Sequence, residues 1–332
     1  MTNRERMQNA LNFRPVDRLP MIEWAAWWDL TLNRWKNEGL PEFDDNAAIF
    51  RYFGLDDHRQ FWLSTTTNDC PLPPSHGMGI MENEKDYDRI LKYLYPADAV
   101  KAIEDQLKGI RPQHERGDFS LWITLSGFFW FPRTLFGIEN HLYSFYDYPE
   151  LYHRICSDLA DFDIRCIEQI CEIAVPDFMT FGEDMSYNHG PMISKELFTE
   201  FLMPYYKRVI PYLKERGIKV IVDSDGDITK MVPWLMDSGI EGVLPLERQA
   251  GVDISGLREA YPDFLFIGGF DKMVMPHGEK AMRAEFERLL PAMRRGGYIP
   301  SVDHQTPPSV SMEDYQVYLK LFREYCIKAA VG

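Results

Sequence analysis

The sequence predicts an α/β protein, a single (β/α)8 TIM barrel over residues 1–332 with an extended N-terminal helical region. Three observations carry that reading. Strand-like runs alternate with helical runs, which favours a parallel sheet. The strand candidates number eight, and eight units favour closure over an open, doubly wound sheet. No G-x-G-x-x-G or P-loop occurs, so the phosphate-binding signature of the open alternative is missing. A chain of 332 residues is long for one core, but barrels carry insertions to this size.

Each element has a local reason. Met1 to Asn12 reads as a helix, because Thr2 and Glu5 have capping-box spacing. The run Arg14-Pro15-Val16-Asp17-Arg18-Leu19-Pro20 must extend or turn at its two prolines, and a first strand is expected at Leu19 to Trp24. Residues 25 to 60 are rich in aromatics and read as short helices, with Gln60 to Thr66 strand-like. Asn68 to Met81 holds three prolines and two glycines and reads as a loop. A helix over Asp98 to Arg116 precedes a strand at Leu121 to Leu125. From there the alternation is regular. Helix Pro149–Ala174 leads to strand Phe178–Phe181. Helix Ser194–Gly217, capped by Ser194 and stopped by Gly217, leads to strand Lys219–Asp223. Helix Ile228–Ser238, strand Gly242–Leu246, helix Ile254–Ala260, strand Phe264–Gly268, helix Glu279–Arg295 and strand Tyr298–Val302 follow. A helix from Ser311 to Ala329 closes the series.

Composition excludes some functions. The net charge is −15, so the basic footprint of nucleic-acid binding is absent. No stretch approaches the roughly 20 apolar residues of a membrane span, and the charged N-terminal stretch lacks the apolar run of a secretory signal. A cytoplasmic protein is expected. The five cysteines are odd in number and form no CxxC pair, which argues against a disulfide framework or a zinc site built from cysteines alone; they read as buried thiols.

In a barrel the working residues sit where strands end and βα loops begin. Five successive strands end in acids: Glu183-Asp184, Asp223-Ser224-Asp225, Glu247-Arg248, Asp271, and Asp303-His304. Asp223 and Asp225 share parity, so both can point inward. Such like charges must be offset by a bound cation, a cationic substrate, raised pKa values, or arginines, for which Arg14, Arg18 and Arg248 are candidates. Asp227 reads as a helix cap, and a turn is the lesser reading of Asp303-His304. His189 lies in a loop close enough to line the mouth. Phe128-Phe129-Trp130-Phe131 reads either as an apolar pocket wall or as core.

The segments "ERMQNALNFRPVDRLP", "PDFMTFGEDMSYNHGPMIS", "FTEFLMPYYKRVIPYLKERG", "VDSDGDI", "GVLPLE", "FIGGFDK" and "GGYIPSVDH" run in order along nearly the whole chain. Together they resemble the uroporphyrinogen decarboxylase superfamily, in particular its corrinoid-dependent methyltransferase and O-demethylase branch. The resemblance implies one of two chemistries: metal-free decarboxylation of a tetrapyrrole, or methyl transfer involving a corrinoid protein and zinc. Decarboxylases carry an N-terminal R-Q-A-G-R segment that grips carboxylates. Here Arg14-Pro-Val-Asp-Arg18 stands at that place, and the Arg248-Gln-Ala-Gly251 run falls elsewhere. The coenzyme M methyltransferases hold zinc with a His-x-Cys and a later Cys. Those positions fall here at Asp223, Asp225 and His304, which are harder but competent ligands.

The first reading is therefore a metal-dependent methyltransferase. It moves a methyl group between a small methylated or methoxylated substrate and a corrinoid carried by a partner protein. Asp225, His304 and Glu183 hold Zn2+, and Glu183, Asp223 and Glu247 are catalytic. Arg14, Arg18, His189, Asp271 and Asp303 bind substrate. The alternative is a carboxy-lyase of porphyrin biosynthesis without metal, and a third is a catalytically inert binding barrel. A homodimer is the family-level expectation.

Overall fold

The computed structural model describes residues 1–330. In chain order the strands are β1 (His58–Trp62), β2 (Ser120–Ser126), β3 (Phe178–Gly182), β4 (Ser186–Tyr187), β5 (Gly190–Pro191), β6 (Lys219–Asp223), β7 (Gly242–Leu244), β8 (Leu265–Phe270) and β9 (Tyr298–Val302). Seven of them form one parallel sheet in the order β1-β2-β3-β6-β7-β8-β9, while β4 and β5 make a small antiparallel hairpin. Every neighbouring pair in the large sheet is in sequence order once the hairpin is set aside. That is the arrangement repeated strand–helix units produce.

The expectation of eight ladder-bonded strands is corrected to seven. The missing one is Leu19–Trp24, which runs extended without joining a ladder. Pro20 has no N–H to give. The segment is fixed by other bonds instead. Leu19 donates to the Cys326 carbonyl (3.2 Å), and Asp56 donates its N–H to Met21 (2.8 Å). On the β9 side, the Trp24 indole N–H donates to the Val302 carbonyl (2.8 Å), and Ser301 donates to Glu23 (2.9 Å). The segment thus bridges the two ends of the curled sheet. Ile22 joins an inner apolar layer with Trp122, Phe178, Ile221, Leu244, Leu265, Ile267 and Ile299. The sequence pattern resembles a strand because the side chains bury like one.

The N-terminal helix Asn3–Leu11 has the expected capping box at Thr2 and Glu5, and it puts Met7, Ala10 and Leu11 into the base of that inner layer. The outer layer is helical. The 25-residue helix Pro149–Ile173 buries Ile155, Leu159, Phe162, Cys166 and Ile170 at helical spacing. The predicted helix Ser194–Gly217 has three parts: a turn at Lys195–Leu197, a wider π turn at Phe198–Leu202, and an α-helix at Met203–Lys214. The predicted helix Ile228–Ser238 is shorter, Val232–Asp237. All five cysteines are free and buried or half-buried, as expected. No helix among the described residues is long and apolar enough to cross a membrane.

Candidate functional site

Period-two alternation decides which strand residues reach the interior. In β3, Phe178 lies in the inner apolar layer and Thr180 bonds Thr124 across the interior (2.8 Å). The same parity carries Gly182 and then Asp184 toward the C-terminal mouth. In β6, Ile221 is inward, and so are Asp223 and Asp225. These residues line a cavity of about 290 Å3 together with Trp24, Trp62, Ser126, Trp130, Glu183 and His304.

Asp184, Asp223 and Asp225 bring carboxylate oxygens within 4.8 Å of one another, and Asp225, Glu247 and His304 do the same with two carboxylates and an imidazole. His304 Nε2 stands 3.7 Å from Asp225 Oδ2. The Asp225 carboxylate beside it raises the imidazole pKa above its ordinary value. Burial, then the charges of Asp184 and Asp225, push Asp223 well up. Burial and Asp225 push Asp184 up to about 6. Glu247 rises by burial, although it accepts the Gly226 N–H at 2.8 Å. Asp184 also has a left-handed backbone (φ 44°), a costly conformation for a residue other than glycine. The donor set of Asp225, Glu247 and His304 fits a divalent ion that takes carboxylate oxygen and imidazole nitrogen, with coordination left open for a substrate atom.

Sequence reasoning missed Asp184 and selected its neighbour Glu183. Glu183 has the opposite parity. Its carboxylate accepts N–H bonds from Phe128 (2.7 Å), Phe129 (2.7 Å) and Trp130 (3.0 Å), and the hydroxyl of Tyr206. Burial pushes its pKa up to about 7, while the Tyr206 and amide donors hold it down. With its oxygens so engaged, Glu183 is an anchor for the loop after β2 rather than a member of either ligand group. Gly127 makes room for it: a Cβ there would stand 1.9 Å from the Glu183 carboxyl carbon. The anchor sets Trp130 against the cavity while Phe128, Phe129 and Phe131 enter the core. Both readings of that aromatic run therefore hold, for different members. The signal for Asp184 was present in the sequence, in the inward parity of Phe178 and Thr180.

Other expected site residues lie elsewhere. Arg18 grips Asp56 through two bonds (2.7 and 2.5 Å), ahead of β1 and so at the opposite end of the sheet. Arg14 lines a separate polar hollow with Arg4, Gln8 and Arg216, also at that end. His189 sits exposed at the tip of the β4–β5 hairpin, outside the cavity lining. Asp271 caps the turn that follows it, accepting from Met273 N–H (2.9 Å). Asp303 is fully buried and accepts from Lys272 Nζ (3.0 Å) and the N–H of Arg248 (3.2 Å), so it braces loops. Its neighbour His304 is the one that enters the cavity. Asp227, expected as a helix cap, instead accepts the Thr229 N–H (3.0 Å) in the turn ahead of the shortened helix, which begins only at Val232. Trp24 and Trp62 carried no sequence signal for a cavity wall.

The chain is 21% identical over 301 residues to the methylcobamide:CoM methyltransferase MtbA of Methanosarcina acetivorans, covering 82% of this chain and 84% of that protein. It is 20% identical to the MtbA of Methanosarcina mazei over the same shares. Among solved structures, the β-glycosidase of Thermosphaera aggregans aligns with a TM-score of 0.48 at 9% identity, over 86% of each chain. The family model for uroporphyrinogen decarboxylase (URO-D) matches residues 86–325, and by that match the chain belongs to the uroporphyrinogen decarboxylase family.

Proposed function

We propose that this protein is a metal-dependent methyltransferase that exchanges a methyl group between a small methylated substrate and a corrinoid held by a partner protein. The observation that carries this reading is the convergence of Asp225, Glu247 and His304 ligand atoms within 4.8 Å, at the mouth of a chain similar to MtbA. A zinc ion bound there supplies a Lewis acid for the heteroatom that gives up or receives the methyl group.

The chain's own residues do the rest. Asp225, Glu247 and His304 hold the ion. Asp223, its carboxyl pKa raised by burial and by its acidic neighbours, faces the substrate across the cavity. Trp24, Trp62 and Trp130 wall the substrate from water. The carboxy-lyase alternative needs cationic clamps, and no Arg or Lys lines this cavity among the described residues.

The test is the metal content of the purified protein beside His304→Ala. Near-stoichiometric zinc in the wild type, lost in the variant, is the expected result. Metal-free wild type prepared without chelators overturns the reading.

A further inference from the structure

The mouth carries more negative charge than one ion of the proposed set absorbs. Asp225, Glu247 and His304 form one group, and Asp184 and Asp223 remain beside it. Asp223 lines the cavity, and its carboxyl has no hydrogen-bond partner among the described residues. Two cations stand nearby, and only Lys272 is ion-paired. Lys272 pairs with Asp303 at 3.0 Å. Arg133 donates to the Asp184 carbonyl oxygen, not its carboxylate, at 3.3 Å, and its guanidinium lies 5.2 Å from the Trp130 ring centre.

Three indoles wall the same space, each from a different element. Trp24 comes from the bridging segment, Trp62 from the end of β1, and Trp130 from the loop anchored by Glu183. Trp62 is 62% exposed and presents its ring to the cavity. Its ring edge lies over Gly182, where a Cβ would be 3.6 Å away. Trp24 meets the His304 ring edge-on at 5.6 Å, so the aromatic wall adjoins the ligand group directly.

We infer that the tryptophan-lined part of this cavity binds a quaternary methylammonium group, the methyl donor. As donor it would pass one methyl as CH3+ to the Co(I) corrinoid of the partner protein, the C–N bond breaking as the Co–C bond forms, and leave as the neutral tertiary amine, which keeps the C–N electron pair. The role as donor rests on the proposed methyltransferase reading; the binding does not. A quaternary ammonium has no N–H to satisfy and is weakly hydrated. It gains from indole faces and from nearby carboxylates together. A neutral ether of the same shape gains from the rings alone.

The test uses choline and its neutral carbon isostere, 3,3-dimethyl-1-butanol. Both are titrated into the intact protein at constant ionic strength and followed by tryptophan fluorescence, with zinc measured on the same sample. The expected result is saturable choline binding at least about tenfold tighter than the isostere. Trp130→Leu and Asp223→Asn should each weaken choline by about tenfold, and Asp223→Asn should leave the isostere unchanged. Equal binding of the two compounds, or no saturable choline binding, overturns the inference. The wild-type comparison alone decides it if a variant fails to fold. Zinc without choline preference sinks this inference and leaves the metal reading standing; choline preference without zinc does the reverse.

Discussion

At the N-terminal end of the strands, Asp177 accepts from Arg4 (2.8 Å), Gln8 (2.7 Å), His114 (2.9 Å) and the Leu121 N–H (2.9 Å). Asp56 there is held by Arg18 and Arg6. At the C-terminal end, Asp184, Asp223 and Asp225 crowd one another, with His304 beside Asp225 at 3.7 Å. Asp177 at one end and Asp184 and Asp223 at the other are all largely buried, yet their pKa values move in opposite directions. The donors around Asp177 hold it below the ordinary carboxylate range despite burial, whereas Asp184 and Asp223 are pushed above it. A buried acid matched by fixed donors is structural, and one left unmatched is waiting for a ligand. The crowding of several uncompensated acids, not the presence of acids, distinguishes the mouth.

That contrast can be broken most directly at the compensated end. Asp177→Ala removes the acceptor of four donors and frees the N-terminal helix from the base. It should destabilise the protein by about 3–5 kcal/mol, read by chemical denaturation. A loss under roughly 1 kcal/mol would mean that the base network is dispensable.

Glu23 sharpens the contrast, as a buried acid met by neutral donors alone. Burial pushes it up to about 7 against bonds from the Ser301 hydroxyl, the Val302 N–H and the Tyr315 hydroxyl. A raised carboxyl pKa favours the protonated fold. Its contribution is therefore full below the unfolded value near 4.5 and is lost as pH rises through about 7. Stability should fall by about 3 kcal/mol between roughly pH 4 and 8 on this account, and Glu23→Gln should flatten that slope. An unchanged slope in the variant would assign the pH dependence elsewhere.

Gly127→Ala tests the anchor beneath the mouth. The added methyl collides with the Glu183 carboxyl, so a loss of about 1–3 kcal/mol is expected, with altered Trp130 fluorescence. Normal stability would show that the loop can yield. The smallest effect has the opposite sign. Asp223→Asn relieves repulsion at the mouth and should stabilise the ligand-free protein by up to about 1 kcal/mol. Destabilisation by that variant would place Asp223 among the structural acids.

Much of the site was legible where a simple periodicity applied. Asp223 and Asp225 share parity on a strand whose bounds, Lys219–Asp223, matched expectation, and both line the cavity. Applied to β3, the same rule selects Asp184 over Glu183. His304 was visible as a residue just past the last strand. Arg14 and Arg18 misled because an arginine near a family motif does not reveal which end of a barrel it occupies. Trp24, Trp62 and Trp130 lie 106 residues apart from first to last in the chain, and no local pattern links them.

The sequence by itself determined the alternation of strands and helices, the parallel order of the sheet and the gathering of acids at the strand ends, because hydrophobic period and capping act over a few residues. Tertiary structure decided the rest. It replaced the expected eighth strand with a segment held by Glu23 and Trp24, turned Glu183 into an anchor, and paired one set of acids with arginines while leaving the other set open. Those outcomes depend on which distant donors arrive within hydrogen-bond reach, and only the curled sheet brings them together.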